Sequence, residues 1–393
     1  MQTIWKISLA TAIAVGLAAC SDTSTITTPL AVPQSSQASA AASDDGDDGD
    51  DAGDAGAVYV STNSTTRNEV LVFPRAADGS LGAPRAFATD GLGNGGGLGN
   101  QGAVVLSQNN RRLFVVNAGS NEVSVFAVSR NGLDLLDRVA SGGMRPVSVT
   151  VHGRLVYVLN AGGTGNITGF KLDGDGNLHP IANSTRSLSS AAAGAAQVEF
   201  SPDGGVLVVT EKMTDKISTY TVGTNGLATG PNVQPSEGDT PFGFAFSRRG
   251  ALVVSEAFGG AAGASALSSY DVSAGGSLSV ISASIGTTET AACWVVITRN
   301  GRFAYTSNTG SSTISGYGLS RAGELTLLNA NGVTATTGSG PIDLALTEDS
   351  GVLYSLDSGA GTISAFRVEK DGSLTSAPGA SGVPAGANGL AAR

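Results

Sequence analysis

The sequence is poor in several residue types, and each scarcity excludes a class of protein. Only 2 of the 393 residues are cysteine and only 14% are charged, which excludes a disulfide-stapled small domain and a coiled coil. The 56 glycines do not follow the three-residue period of collagen. After residue 57 no stretch repeats its apolar residues every 3.6 positions, so the sequence gives helices no evident place.

Negative charge is concentrated near the N-terminus. Residues 21–56 contain eight acidic residues and no basic one, whereas residues 57–393 contain 24 acidic and 21 basic residues. A domain that binds nucleic acid usually carries a strong basic patch. The nearly balanced charge of residues 57–393 therefore predicts that nucleic acid is not a partner.

The first twenty residues have the pattern of a targeting segment. Lys6 precedes an apolar stretch at residues 7–16, which is too short to span a bilayer, and Leu17-Ala18-Ala19-Cys20 follows it. These four residues resemble the lipobox of bacterial lipoproteins, in which the cysteine is acylated and becomes the new N-terminus. The resemblance implies a signal peptide at residues 1–19, lipidation of Cys20 and a lipid-anchored protein of the cell envelope, in the outer membrane and facing the periplasm or the surface. The alternative is an ordinary secretory signal with an incidental cysteine.

Residues 20–56 are rich in Ser, Thr, Ala, Asp, Gly and Pro and contain few large apolar side chains. This composition predicts a flexible tether, since it cannot bury a core. A coil of this length spans on the order of 30–35 Å, enough to hold a domain clear of a membrane. Weak cation binding by the aspartates at residues 44–54 is an alternative, but their spacing forms no single calcium loop.

Internal repetition predicts the fold of residues 57–393. A β-rich apolar run that ends in a polar residue occurs seven times, at a mean interval of about 49 residues, and an alternating strand and a glycine turn keep step with it. A period of this length with several short strands is typical of a propeller blade. The sequence therefore predicts an all-β, seven-bladed β-propeller with strands A to D in each blade, strand A lying nearest the axis.

The two chain ends predict how the ring closes. The first repeat begins directly at strand B, near Val58, and lacks a strand A, whereas Gly389-Leu390-Ala391-Ala392 follows the last repeat as a spare strand. We expect this C-terminal strand to pair into the first blade as its strand A. Such closure leaves no open inner edge, and we expect a monomer.

The path of the chain sorts polar residues by face. We call the face with the B–C loops and D–A connections the top, and the face with the A–B and C–D turns the bottom. The ends of strands B and the starts of strands A meet at the top, where convergent polar groups predict a binding mouth. Its predicted members are Asn63, Asn117, Asn160, Glu211, Glu256, Asn308, Asp357, Gln101, Arg145, Gln197, Trp294 and Asp343. The alternative is that strand-end polar side chains only hydrogen-bond the loop backbone.

Few residues at this mouth suit catalysis. His152 falls at a bottom turn and His179 in an outer strand, so neither can act at the top. No cluster has metal-ligand spacing, and we expect neither a metal nor a cofactor. If the mouth is catalytic, the candidates are Glu256 or Glu211 as general base, with Arg145 as an electrostatic clamp.

Over residues 57–393 the landmarks resemble the seven-bladed propeller lactonase family, which includes 6-phosphogluconolactonase and the 3-carboxymuconate lactonizing enzyme. The resemblance rests on four features: Gln197-Val198-Glu199-Phe200-Ser201-Pro202-Asp203-Gly204, the strand end at Glu256, Gly301-Arg302-Phe303-Ala304-Tyr305-Thr306-Ser307-Asn308, and the closing Gly389-Leu390-Ala391. It implies a lactone hydrolase that uses groups at the top mouth.

The sequence departs from the family's pattern at the reactive motifs. Gly194-Ala195-Ala196 stands where the family usually has His-Pro-His, and Ser307-Asn308-Thr309-Gly310 stands where it has Ser-Asn-Arg-Gly. Only Glu256 matches a functional family position. These losses favour a non-catalytic binding or interaction module, whose partner is an envelope protein, a polysaccharide or a small ligand. The alternative is a divergent periplasmic lactone hydrolase with 6-phosphogluconolactonase-like activity.

Overall fold

The computed structural model describes residues 56–393. The predicted signal peptide, Cys20 and nearly all of the predicted tether lie outside this range. The described chain forms seven sheets, each with the strand order D-C-B-A and antiparallel neighbours. The seven A strands contact one another around a central axis, which confirms the predicted seven-bladed β-propeller.

The strands of each blade are given in the order A, B, C, D. Blade 1 contains Asn388–Ala392, Gly56–Ser61, Glu69–Arg75 and Arg85–Ala88; blade 2 contains Val104–Leu106, Arg112–Asn117, Glu122–Ser129 and Gly132–Ala140. Blade 3 contains Met144–His152, Leu155–Gly162, Asn166–Leu172 and a divided strand D, Leu178–Pro180 with Arg186–Ser187; blade 4 contains Ala195–Phe200, Val206–Glu211, Lys216–Val222 and Ala228–Pro235. Blade 5 contains Pro241–Phe246, Leu252–Glu256, Ala266–Val272 and Leu278–Gly286; blade 6 contains Ala292–Ile297, Phe303–Asn308, Thr313–Leu319 and a divided strand D, Leu325–Leu327 with Ala335–Thr336. Blade 7 contains Pro341–Leu346, Val352–Asp357, Thr362–Val368 and Leu374–Ser381.

Burial differs systematically between the strands of a blade. All six residues of Val206–Glu211, a strand B, are buried, whereas five of the eight residues of the strand D in the same blade, Ala228–Pro235, are exposed. An inner strand is covered by the neighbouring blades on both faces, so it needs continuous apolar residues rather than alternation. Within residues 56–393 the one helical segment is the single 3-10 turn Phe258–Gly260, and no helix there is long and apolar enough to cross a membrane.

Buried tyrosines join successive blades. The hydroxyl of Tyr157 in blade 3 donates to the carbonyl of Gly226 in blade 4 over 2.8 Å. Tyr354 in blade 7 makes the same kind of bond to Gly79 in blade 1 over 2.7 Å. Each bond runs from a strand B to the C–D turn of the next blade, so a polar group inside the apolar interface is satisfied and fixes the blade spacing.

The ring is closed as predicted. Asn388–Ala392 pairs antiparallel with Gly56–Ser61, with Tyr59 opposite Ala391. The backbone N–H of Leu390 also donates to the carboxyl of Asp343 in blade 7 over 3.0 Å, and Arg75 Nε donates to the carbonyl of Arg393 over 3.0 Å. The last strand therefore pairs with the backbone of blade 1 and is also bonded by the Asp343 side chain of blade 7. The described chain both begins and ends at the bottom face.

Candidate functional site

The polar residues at the ends of strands B do not face an opening. Six of them are fully buried, with no exposed surface: Asn117, Asn160, Glu211, Glu256, Asn308 and Asp357. Asn63 and Trp294 each keep only 2% of their surface exposed. In the described structure these side chains are therefore enclosed within their blades and do not line an open mouth.

Glu256 shows what these side chains do instead. Its carboxyl accepts the backbone N–H of Gly238 over 2.9 Å and the hydroxyls of Ser268 and Ser284 over 2.5 and 2.6 Å. The two serines belong to strands C and D of its own blade. Burial raises the pKa of Glu256, while these three hydrogen bonds act in the opposite direction. Glu256 thus holds together the top of blade 5.

The same arrangement recurs in other blades. Glu211 accepts hydrogen bonds from Ser189 and Ser218, and Asp357 accepts the hydroxyl of Ser364 over 2.5 Å. Asn117 donates to Ser124 and Asn308 donates to Ser315, both over 2.9 Å. Each partner serine on strand C follows the strand B residue by seven positions. The alternative reading, in which strand-end polar groups satisfy their own loops, describes the observed geometry.

Arg145, the predicted electrostatic clamp, lies half-buried at the start of strand A of blade 3. Its backbone N–H donates to the side chain of Asn121 over 2.7 Å. The pairing of a glutamate base with Arg145 stays a prediction.

A glycine-rich segment closes the top of the central channel. It connects blade 1 to blade 2, and its residues 99–102, which we call the plug, lie across the axis. Gly99 accepts a hydrogen bond from Lys212 Nζ over 2.5 Å, and the carbonyl of Asn100 accepts the indole N–H of Trp294 over 2.7 Å.

The plug also bonds to the A strands of blades 4 and 6. The backbone N–H of Gln101 donates to Ala196 in blade 4 over 3.1 Å. The Gln101 side chain donates to the carbonyl of Val295 in blade 6 over 2.8 Å and accepts its N–H over 3.0 Å. These bonds satisfy inner-strand backbone groups in the way that a neighbouring strand would, so the plug is held as part of the fold.

The glycine content of this segment explains how closely it approaches the inner strands. Seven of the twelve residues at positions 91–102 are glycine. Gly102 has a φ of +85°, and a Cβ there would lie 2.8 Å from the hydroxyl of Ser148. The glycine-rich run was a readable signal, but the sequence alone did not show that it crosses the mouth.

Beneath the plug the channel widens into a cavity of about 890 Å³ that reaches the bottom face. Its walls are A strands and its rim is made of A–B turns. The residues that matter for its chemistry are Gln101, Gln197, Glu199, Asp343, His152, Arg248, Arg299 and Glu348. The accessible end of the channel is therefore opposite to the end that the sequence predicted.

Three carboxyl groups line this cavity: Glu348 at the rim, and Glu199 and Asp343 on the strand walls. Glu199 has one hydrogen-bonding partner among the described side chains, Gln197 Nε2 at 3.0 Å, and burial raises its pKa to about 8. Asp343 accepts the N–H groups of Leu344 and Leu390, yet burial raises its pKa well above its usual range. Burial therefore favours the protonated form of these two carboxyls, in which each can donate as well as accept hydrogen bonds.

Both histidines lie at the predicted places in their blades, but His152 also lines the central cavity. His152 lies at a bottom turn and lines the cavity, with its ring 5.8 Å from that of Phe200. His179 is in an outer strand and contacts Asp173 at 2.8 Å. In the part of the chain that the structure describes, no group of three or more His, Cys, Asp or Glu side chains could hold a metal ion.

The fold and the channel can be compared with known proteins. The family described as lactonase, 7-bladed beta-propeller, matches residues 54–187 and 98–387, which together make up most of the chain. The chain belongs to this lactonase family. No curated protein is significantly similar to it in sequence.

Solved structures of lactonase-named proteins have the same fold. A protein of Bacteroides fragilis provisionally named a 6-phosphogluconolactonase is 18% identical with a TM-score of 0.69, and the alignment covers 86% of this chain and 98% of that one. The periplasmic gluconolactonase of Pseudomonas aeruginosa is 16% identical with a TM-score of 0.67 and the same coverage. Hydrazine synthase of Kuenenia stuttgartiensis is 15% identical with a TM-score of 0.56, over 78% of this chain and 93% of that one. At these identities the likeness shows the fold alone.

The positions where the lactonase family usually carries its reactive motifs make structural contacts in this member. Ala195 and Ala196 are buried, and the carbonyl of Ala196 accepts the hydrogen bond from Gln101 of the plug. Thr309 donates its hydroxyl to the carbonyl of Pro341 over 2.8 Å.

The buried carboxyl of Glu199 predicts a pH-dependent stability. Because its pKa rises from 4.5 to about 8 on folding, the unfolded chain ionises first, and the free energy of unfolding falls as the pH rises between these values. We expect Glu199→Gln to remove much of this fall and to be more stable than wild type at about pH 9, by on the order of 2 kcal/mol. Urea unfolding near pH 5 and pH 9 measures the difference. Glu348→Gln, at the exposed rim, is the control, and an unchanged slope for Glu199→Gln would contradict the prediction.

Proposed function

We propose that this protein is a lipid-anchored, non-catalytic binding module of the cell envelope, and that it takes its ligand into the central channel from the bottom face. The observation that carries the proposal is the plug: residues 99–102 occupy the top mouth and bond to Ala196, next to the position where lactonases usually carry reactive groups. Because catalysis needs groups aimed at a site that the substrate can enter, a closed mouth with alanines in the reactive motif does not support turnover there.

The cavity supports ligand binding. Its volume of about 890 Å³ is in the range of small-molecule sites, and its lining combines apolar strand residues with many polar groups. Gln197 and Glu199 present hydrogen-bonding groups within it. A neutral, hydroxyl-bearing part of a ligand suits an interior in which burial disfavours charge on Glu199 and Asp343.

A second candidate, a divergent lactone hydrolase, is favoured by one observation. Glu199 is a carboxyl in an enclosed cavity whose pKa is raised to about 8, and a glutamate poised near neutral pH is suited to general acid–base chemistry. In the described chain no arginine or lysine forms an ion pair with its carboxyl, and the arginines of the cavity, Arg248 and Arg299, come from turns at its rim.

A lactone panel separates the two functions. We expect the purified protein to leave sugar and aromatic lactones at the uncatalysed rate, with the Pseudomonas aeruginosa gluconolactonase assayed beside it as the active control. Turnover that Glu199→Gln abolishes would overturn the proposal and establish the hydrolase. In the same samples, thermal unfolding with oligosaccharides, polyamines and dicarboxylates tests binding, since a ligand of the native state raises the unfolding temperature.

The envelope location rests on the sequence pattern of residues 6–20, which lies outside the described residues. The exported relative in Pseudomonas aeruginosa is consistent with an extracytoplasmic role. We expect Cys20→Ser to abolish acylation, so that the protein is released in soluble form or stays unprocessed, whereas Ser21→Ala as a control remains with the membrane. Membrane fractionation and the mass of the N-terminal peptide measure this, and normal processing and anchoring of Cys20→Ser would exclude the lipoprotein assignment.

A further inference from the structure

Four arginines surround a small depression on the bottom face, beside the channel mouth. Arg248 and Arg249 come from the A–B turn of blade 5, Arg299 from the A–B turn of blade 6, and Arg321 from the C–D turn of blade 6. The depression has a volume of about 200 Å³, and Arg248 and Arg299 also line the central cavity. Three turns of two neighbouring blades therefore bring four guanidinium groups to one place.

Little negative charge opposes this cluster. Arg299 contacts Glu348 at 2.9 Å, in a pair that is about half exposed on both sides. Within residues 56–393 no acidic side chain lies within 4.0 Å of the charged groups of Arg248, Arg249 or Arg321. Gathering like charges without counter-ions is unfavourable, and an anionic ligand would relieve the repulsion.

The type and number of cations favour a phosphoryl group. Guanidinium groups bind phosphate and carboxylate oxygens through paired hydrogen bonds, and a phosphoryl group offers more acceptor oxygens and up to two negative charges. One arginine suffices to hold a carboxylate in this way, whereas four around one depression match a dianion with several oxygens.

We infer that the depression formed by Arg248, Arg249, Arg299 and Arg321 is a phosphoryl-binding site at the mouth of the central channel. This inference extends the proposed function, since it names the anionic end of a ligand whose uncharged part enters the channel. The phosphoryl group could belong to a membrane lipid or to a soluble molecule. The described chain begins at the same bottom face, so the site lies on the side from which the predicted tether leaves.

The test uses the full chain carrying Cys20→Ser, so that an attached lipid does not itself bind vesicles. One variant adds Arg248→Gln, Arg249→Gln and Arg321→Gln. A matched variant instead adds Arg67→Gln, Arg138→Gln and Arg186→Gln, which remove the same charge from two exposed positions and one half-buried position towards the top face. Circular dichroism and thermal unfolding verify that both variants are folded. Binding of inorganic phosphate and glycerol phosphate is measured by calorimetry, and binding to phosphatidylcholine vesicles with and without phosphatidylglycerol by sedimentation.

We expect phosphate binding that the cluster variant weakens by at least about tenfold and the matched variant changes little, with an affinity that falls as salt is added. Additional binding to phosphatidylglycerol vesicles, lost in the same variant, assigns the group to a lipid; phosphate binding without vesicle binding assigns it to a soluble ligand. Equal affinities for the two variants, or no phosphate binding by the parent, would overturn the inference. The lactone panel is independent of these readouts, so catalytic turnover would refute the proposed function without deciding the phosphoryl site.

Discussion

Removal of residues 388–393 is expected to lower the stability of the propeller by several kcal/mol or to cause aggregation. The deletion takes away strand A of blade 1, which pairs with Gly56–Ser61 and accounts for the buried side chain of Leu390. It also leaves the buried carboxyl of Asp343 without one of its two backbone donors. The exposed inner edge that remains is a template for pairing with other chains. Thermal unfolding and size-exclusion chromatography measure both outcomes.

A milder variant keeps this prediction testable if the deleted protein does not fold. Leu390→Ala should cost about 2–4 kcal/mol, because it opens a cavity in the interface between the closing strand and its neighbours. Val280→Ala in an outer strand, where the side chain is 46% exposed, should cost less than about 1 kcal/mol. Equal stabilities of the two variants, or a deletion with wild-type unfolding, would show that the ends do not close the ring.

Glu256→Leu is expected to destabilise the protein by about 3–5 kcal/mol, because three buried donors, the N–H of Gly238 and the hydroxyls of Ser268 and Ser284, lose their acceptor. Because Glu256 has a structural role, the loss of stability should appear in denaturant unfolding. Phosphate binding at the distant bottom face should stay unchanged. Glu237→Leu, at an exposed glutamate in the connection that leads into blade 5, is the matched control. A variant of Glu256 with wild-type stability would contradict the structural role.

Burial alone does not make Glu256 and Glu199 equivalent. Glu256 accepts three hydrogen bonds inside its own blade, whereas Glu199 meets a single amide and borders the cavity. Both glutamates lie in β-rich segments of similar apolar content, so the local sequence does not indicate which of them borders a cavity. The two residues differ in their neighbours: the carboxyl of Glu256 contacts donors of its own blade, whereas the carboxyl of Glu199 borders the open channel.

The hydrogen bonds between strand B polar residues and strand C serines could have been predicted in part from the sequence. Ser124, Ser218, Ser315 and Ser364 each follow a strand B polar residue by seven positions, and in a tight antiparallel pair this spacing places the two side chains beside each other. Considering that spacing would have favoured hydrogen bonds within the blade over a ring around the axis. The plug was harder to anticipate, because its contacts to Ala196 and Trp294 span about 100 and 200 residues.

The sequence by itself determined the all-β class, the seven repeats and the closure by the last strand. It could do so because each blade is a local unit of tight turns and adjacent strands, and the missing strand at one end matches the spare strand at the other. Only the tertiary structure decided which end of the channel is open, where the buried carboxyls point and which arginines meet. Those features depend on how seven blades pack around one axis, and they join residues from turns and loops whose positions no local pattern specifies.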